Sequence, residues 1–108
     1  MVVKQYCKLV RDRIPEIIKA DGKRCTFSVL SEDDYISYLD VKLNEELIEY
    51  QESKSIDELA DLLEVIRAVA KARGSSIDEI EAIRIKKADE RGGFEKRLIL
   101  TSVYEGDE

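Results

Sequence analysis

Two short runs hold carboxylates at helical spacing among residues that look like core: 45-EELIEY-50 and 58-ELADLLE-64. Glu46 and Glu49 are three apart, as are Glu58 and Asp61, and side chains three or four apart on a helix are neighbours. At about 100° per residue, a helix over 32–53 has an apolar face of Tyr35, Ile36, Leu39, Leu43 and Tyr50. Glu46 falls near the middle of that face, Glu49 at its edge one turn along, and Glu45 on the other flank. On a helix over 56–73, Leu62, Val65 and Val69 form one stripe; Glu58 continues it, with Asp61 beside it. Four such carboxylates facing one seam would repel and be costly to desolvate. Something positive must sit there. A hard divalent cation, Mg²⁺ or Mn²⁺, suits an all-oxygen set; basic side chains are the alternative. A blander reading makes Glu58 the third helical residue of a capping box, and Glu45, Glu46 and Glu49 a solvated face.

Composition narrows the chemistry. The chain has no histidine, which removes Ser/His and Cys/His nucleophile pairs and the usual zinc ligand. Carboxylates, lysines or a bound metal must then carry any catalysis. A net charge of −6 argues against a nucleic-acid partner, which would need a basic face. No apolar run nears the roughly 18 residues of a membrane span, and MVVKQYCKLVRDR lacks a signal peptide's apolar core. A cytoplasmic protein that engages no membrane is expected. Cys7 and Cys25 lack CxxC spacing and read as free thiols.

The 108 residues bound one domain with a modest core, so a single domain over 1–108 is expected. Pro15 opens a short helix, 15-PEIIKAD-21, that ends at Gly22. The alternation in 25-CTFSVL-30 predicts a strand. Ser31 caps the helix to about Ser53, and Ser55-x-x-Glu58 opens the helix that ends at Gly74. Ser76-x-x-Glu79 opens a third long helix that stops at Gly92-Gly93. The β-branched and aromatic 96-KRLILTSVY-104 predicts a second strand, able to pair with 25–30. Glu105 to Glu108 reads as a frayed acidic end. The fold expected is mostly α, an antiparallel helical bundle with a small two-stranded β addition. Leu59, Leu63, Ile66 and Ala70 make a second apolar stripe on the 56–73 helix. That stripe predicts a homo-oligomer, a dimer or tetramer, that buries it.

At these acids the sequence resembles the MazG-like, all-α nucleoside triphosphate pyrophosphohydrolases. Their ExxE (commonly EExxE) and ExxD motifs match 45-EELIE-49 and 58-ELAD-61. The flanks 8-KLVRDRIPEII-18 and 90-ERGGFEKR-97 resemble a small house-cleaning subgroup, so the resemblance spans most of the chain. It implies Mg²⁺-dependent cleavage of a nucleotide, canonical or not, between its α and β phosphates, releasing pyrophosphate. Glu46, Glu49, Glu58 and Asp61 would be the metal ligands. Glu45 would serve a further metal or hold the attacking water. A later Lys-x-x-x-Arg phosphate contact of the family matches Lys87-x-x-x-Arg91. The spacer between the acid motifs is short, and the paired strands are no part of the all-α core.

A nucleoside triphosphate brings up to four negative charges, so cations must offset the acids. Candidates are Lys87 and Arg91 on the third long helix, and Lys8, Arg11 and Arg13 near the N-terminus. A metal-activated water, or one held by Glu45 or Glu49, is the candidate nucleophile. Phe94 after Gly92-Gly93 could stack on a base or plug a core. No Walker GxxxxGK[ST] loop is present. Two readings compete: phosphoribosyl-ATP pyrophosphohydrolase of histidine biosynthesis, which shares the motifs, and a non-catalytic helical oligomerisation module.

Overall fold

The computed structural model of the chain describes residues 7–106. Four helices follow in order: α1 Ile14–Ala20, α2 Glu32–Ser53, α3 Ile56–Ala72 and α4 Ile77–Arg91. The chain divides into two compact units, one ending at Ile77 and the other beginning at Asp78.

In the first unit α2 packs against α3. The Ser31 hydroxyl accepts from Asp34 N–H at 3.2 Å, and three acids occupy the first turn of α2, where the helix dipole favours them. α2 stops where Lys54 takes a left-handed conformation, φ 58. Ser55 follows at once as the N-cap of α3, accepting from Glu58 N–H at 3.3 Å. A two-residue joint forces neighbouring helices to run antiparallel. Arg73 near the end of α3 accordingly reaches Asp40 near the start of α2, at 2.9 Å. The helix ends at Ala72, two residues before Gly74, whose φ of +82 suits a residue without a Cβ.

The buried apolar residues of the seam are Leu39 (3% exposed), Val65 and Ala70. Leu47, Ile48, Leu59 and Leu63 remain exposed on the same two helices. The N-terminal segment and α1 belong to this unit too. Cys7 Sγ lies 3.6 Å from Tyr38 Oη on α2. Both cysteines are free.

In the second unit, α4 ends as Gly92 N–H bonds Ala88 C=O at 2.7 Å with Gly92 at φ +85. Residues 92–106 then run on without a helix.

The mostly α class holds; the β addition does not. Among the described residues neither 25–30 nor 96–104 forms a strand. Val29 is 94% exposed, and Leu98, Ile99 and Leu100 are likewise exposed. Strand propensity reflects packing on a pleated, half-buried surface, and these segments have no such surface to lie on. Asp107 and Glu108 of the acidic end lie outside the described residues. No described helix is long and apolar enough to cross a membrane.

Candidate metal centre

The acids meet across the α2–α3 seam because the two helices run antiparallel. One group of three carboxylates is Glu45, Glu46 and Glu49; another is Glu46, Glu58 and Asp61. Within each group one oxygen of every residue lies within 4.8 Å of the others. Glu46 belongs to both, so it sits at the centre of the set. Glu49 lies within hydrogen-bonding reach of both Glu46 and Glu58. All five acids named from the sequence are therefore brought together.

Glu58 tests the capping-box reading directly. In a full box its carboxylate would reach back to the Ser55 N–H. Instead that N–H donates to Ser53 Oγ at 3.2 Å. Only the backbone of Glu58 serves the cap, and its carboxylate turns to Glu49 and Asp61.

Glu46 is 7% exposed, and its Oε2 is buried with no hydrogen-bond partner among the described residues. An orphaned carboxylate oxygen costs about 1–3 kcal/mol or more unless a ligand satisfies it. Burial, then the adjacent Glu49, pushes the Glu46 carboxyl above its ordinary range. Desolvation, then the charges of Glu49 and Asp61, raises Glu58 as well. Glu45 goes the other way. Desolvation raises it, but hydrogen bonds from Lys8 and Lys42 outweigh that and bring it below the usual value.

The cations divide the acids into two classes. Lys8 and Lys42 each lie 3.3 Å from Glu45, Lys42 lies 3.5 Å from Glu46, and Arg11 lies 2.8 Å from Asp61. Glu49 and Glu58 have no cation partner among the described residues. Lys42 was not among the basic residues singled out from the sequence, although its spacing to Glu45 and Glu46 (i+3, i+4) was a usable signal. Arg13 pairs instead with Glu16, its neighbour at 3.3 Å. Lys87 and Arg91 lie on α4, both exposed, in the second unit.

Either oxygen-only group, with the unpartnered Glu46 Oε2 common to both, could hold a hard divalent cation. A soft metal would want sulfur or imidazole, and none is offered there.

No protein-family profile matches the chain, and no solved structure matches it. An uncharacterized protein of Mycolicibacterium smegmatis is 46% identical over 50 residues, 46% of this chain and 51% of that protein. The chain thus spans about half the length of the curated relative it matches.

Proposed function

We propose that the chain is a Mg²⁺-dependent nucleotide pyrophosphohydrolase of the MazG-like kind, cleaving a nucleoside triphosphate to the monophosphate and pyrophosphate. The observation that carries this reading is the buried, unpartnered Glu46 Oε2 at the centre of two carboxylate groups. A structural cluster has no reason to leave that oxygen unpaired beside further acids.

Glu46, Glu49, Glu58 and Asp61 would hold Mg²⁺, with Mn²⁺ as a substitute. The ion would draw charge from the α-phosphoryl oxygens and acidify a water beside them. In the reaction the water oxygen bonds the α-phosphorus and the α–β bridging oxygen leaves with pyrophosphate. Glu49, free of any described cation, is the better placed of the two candidate bases to accept the water's proton. Glu45 is held by Lys8 and Lys42, so it orients rather than deprotonates. Lys8 and Arg11, already at the acids, can turn to phosphate oxygens when the substrate binds. Lys87 and Arg91 are proposed as further phosphate contacts on the strength of the resemblance alone.

Products decide the reaction. The wild-type chain with Mg²⁺ and a panel of canonical, modified and phosphoribosyl nucleotides should release pyrophosphate and monophosphate. Release of orthophosphate and diphosphate would overturn the assignment even with Mg²⁺ dependence intact. A phosphoribosyl-ATP-only activity would select the histidine-biosynthetic alternative.

The exposed Leu47, Ile48, Leu59 and Leu63, beside a core of three buried apolar residues among those described, support a homo-oligomer, dimer or tetramer. A core that small supports little stability alone. A monodisperse monomer at micromolar concentration in sedimentation would refute this. The same stripes, with cations already on Glu45 and Asp61, favour the non-catalytic oligomerisation module as second reading. That module would show no Mg²⁺-dependent gain in melting temperature.

A further inference from the structure

A cavity of about 550 Å³ lies against the acid cluster, between the N-terminal segment and the α2–α3 pair. Glu46 and Asp61 line one end of it. Along α2 its lining continues through Lys42 and Leu39 to Tyr35, and along α3 through Val65 and Ala68 to Lys71. At 1.5 Å per residue, Tyr35 stands roughly 16 Å along the helix from Glu46. Leu9, Val10 and Ile14 close the opposite wall. The volume falls within the range of small-molecule sites, which are mostly apolar with a few placed polar groups.

We infer that this cavity takes the nucleoside half of the substrate, with the base against Tyr35 and the α-phosphate at the Glu46–Asp61 end. The inference rests on the nucleotide reading above and adds where the substrate lies. Leu9, Val10, Ile14, Leu39, Val65 and Ala68 give the cavity apolar walls, although charged side chains outnumber them in its lining. A polyphosphate laid against the apolar stretch would lose its hydration, whereas a base and sugar bury apolar faces there and offer polar edges to the charged side chains. Arg67 and Lys71, one turn apart on α3, line the cavity and have no ion-pair partner among the described residues. They supply donors for base carbonyl and ring nitrogen acceptors. Tyr35 is partly exposed and lines the cavity, and its ring offers a surface for stacking. The leaving pyrophosphate then departs on the side of the cluster away from this cavity. The N-terminal segment becomes a specificity wall as well as a source of counter-ions.

The test uses the full chain with Mg²⁺ and the monophosphates AMP, GMP, CMP and UMP as probes, read by calorimetry and by competition with turnover. At least one monophosphate should bind the wild type. Ala68→Leu, which fills the cavity seven residues from Asp61, should weaken that binding at least tenfold and leave the Mg²⁺-dependent rise in melting temperature intact. Tyr35→Ala, at an exposed position that folding tolerates, should weaken it roughly tenfold, the scale of one lost stacking contact. Inorganic pyrophosphate should bind both variants as it binds the wild type. The inference is overturned if no monophosphate binds the wild type, or if both variants bind it unchanged. It is overturned equally if pyrophosphate binding falls with monophosphate binding, since the cavity would then hold phosphates. If the wild type yields orthophosphate while both variants lose monophosphate binding, the reaction assignment falls and the cavity assignment stands.

Discussion

Glu46→Gln separates a metal site from an ordinary buried ion pair, because the two predict opposite signs. The substitution keeps volume and helix propensity and removes one charge. In metal-free protein that charge faces carboxylate oxygens within 4.8 Å. At that distance the repulsion is about 3.5 kcal/mol at an effective dielectric of 20 and about 0.9 kcal/mol in bulk water. The compensating loss is the 3.5 Å contact with Lys42 at i,i+4, worth about 1.2–4.7 kcal/mol on the same scale. Against it stand the two carboxylates with no described cation, Glu49 and Glu58, together about 1.8–7 kcal/mol. The variant should therefore be more stable than the wild type in EDTA by about 0.5–2 kcal/mol. At about 4–8 °C per kcal/mol for a domain of this size, the melting temperature should rise by at least about 2 °C.

With Mg²⁺ the order should reverse. A ligand at a hundred times its dissociation constant stabilises by about 2.7 kcal/mol, and the variant has lost the central donor of both carboxylate groups. Thermal melts of both proteins, in EDTA and across a Mg²⁺ titration, give four curves that must cross. A variant that melts below the wild type in EDTA would mean that Lys42 or a neighbour fully compensates Glu46, and the metal reasoning would fail. Glu58→Gln should move in the same direction and should abolish turnover.

The metal-free protein should lose stability as pH rises through the titration of Glu46 and Glu58. Their folded pKa values stand above the ordinary 4.5, so the native state binds those protons more tightly than the unfolded chain does. Melts in EDTA should climb as pH falls toward the ordinary carboxylate range; a flat or falling profile refutes the shared cluster. Below that window the lowered Glu45 and Glu81 reverse the sign, since their contribution is lost as pH falls through their folded values. Arg11→Ala should change stability by under about 1 kcal/mol, since its ion pair with Asp61 is half-exposed on both sides (58% and 43%). It should tighten Mg²⁺ binding by freeing Asp61 while raising KM, and weaker Mg²⁺ binding in calorimetry would show that Arg11 organises the site instead.

Helix positions were legible because the signals for them are local. Ser31 and Ser55 cap as their spacing indicates, and Lys54-Ser55 leaves no room for anything but an antiparallel turn. Once that turn is fixed, EELIE and ELAD must face each other, so the acid cluster follows from helical periodicity alone. The capping-box signal on Glu58 was half right: its backbone caps, while Ser53 displaces its carboxylate from the Ser55 N–H. That choice between two acceptors is tertiary and leaves no trace in the spacing. The strands at 25–30 and 96–104 failed for the opposite reason. Alternation and β-branching describe what a segment could pair with, and pairing needs a neighbour that composition does not supply. Charge offers Lys8 and Arg11 to substrate phosphates, and nothing in the spacing shows their reach over 37 and 50 residues to Glu45 and Asp61. Only the path of the N-terminal segment across the seam establishes it.

Charge balance then sets how many ions the site should take. Five carboxylates, Glu45, Glu46, Glu49, Glu58 and Asp61, face three cations among the described residues, Lys8, Lys42 and Arg11. Two negative charges remain among these, concentrated on Glu49 and Glu58, since Lys42 also reaches Glu46 and the other cations hold Glu45 and Asp61. One divalent ion neutralises that excess. A second would leave the seam positive by two charges with no anion to meet it, and at separations of a few ångströms that costs several kcal/mol even when partly screened. A nucleoside triphosphate, with up to four negative charges, removes the obstacle. Calorimetry without nucleotide should therefore find one Mg²⁺ per chain, and a second only when a nonhydrolysable triphosphate is present. Two ions bound in its absence would mean that Lys8 and Arg11 leave the acids as metal enters, and that these cations are displaced by metal rather than by phosphate.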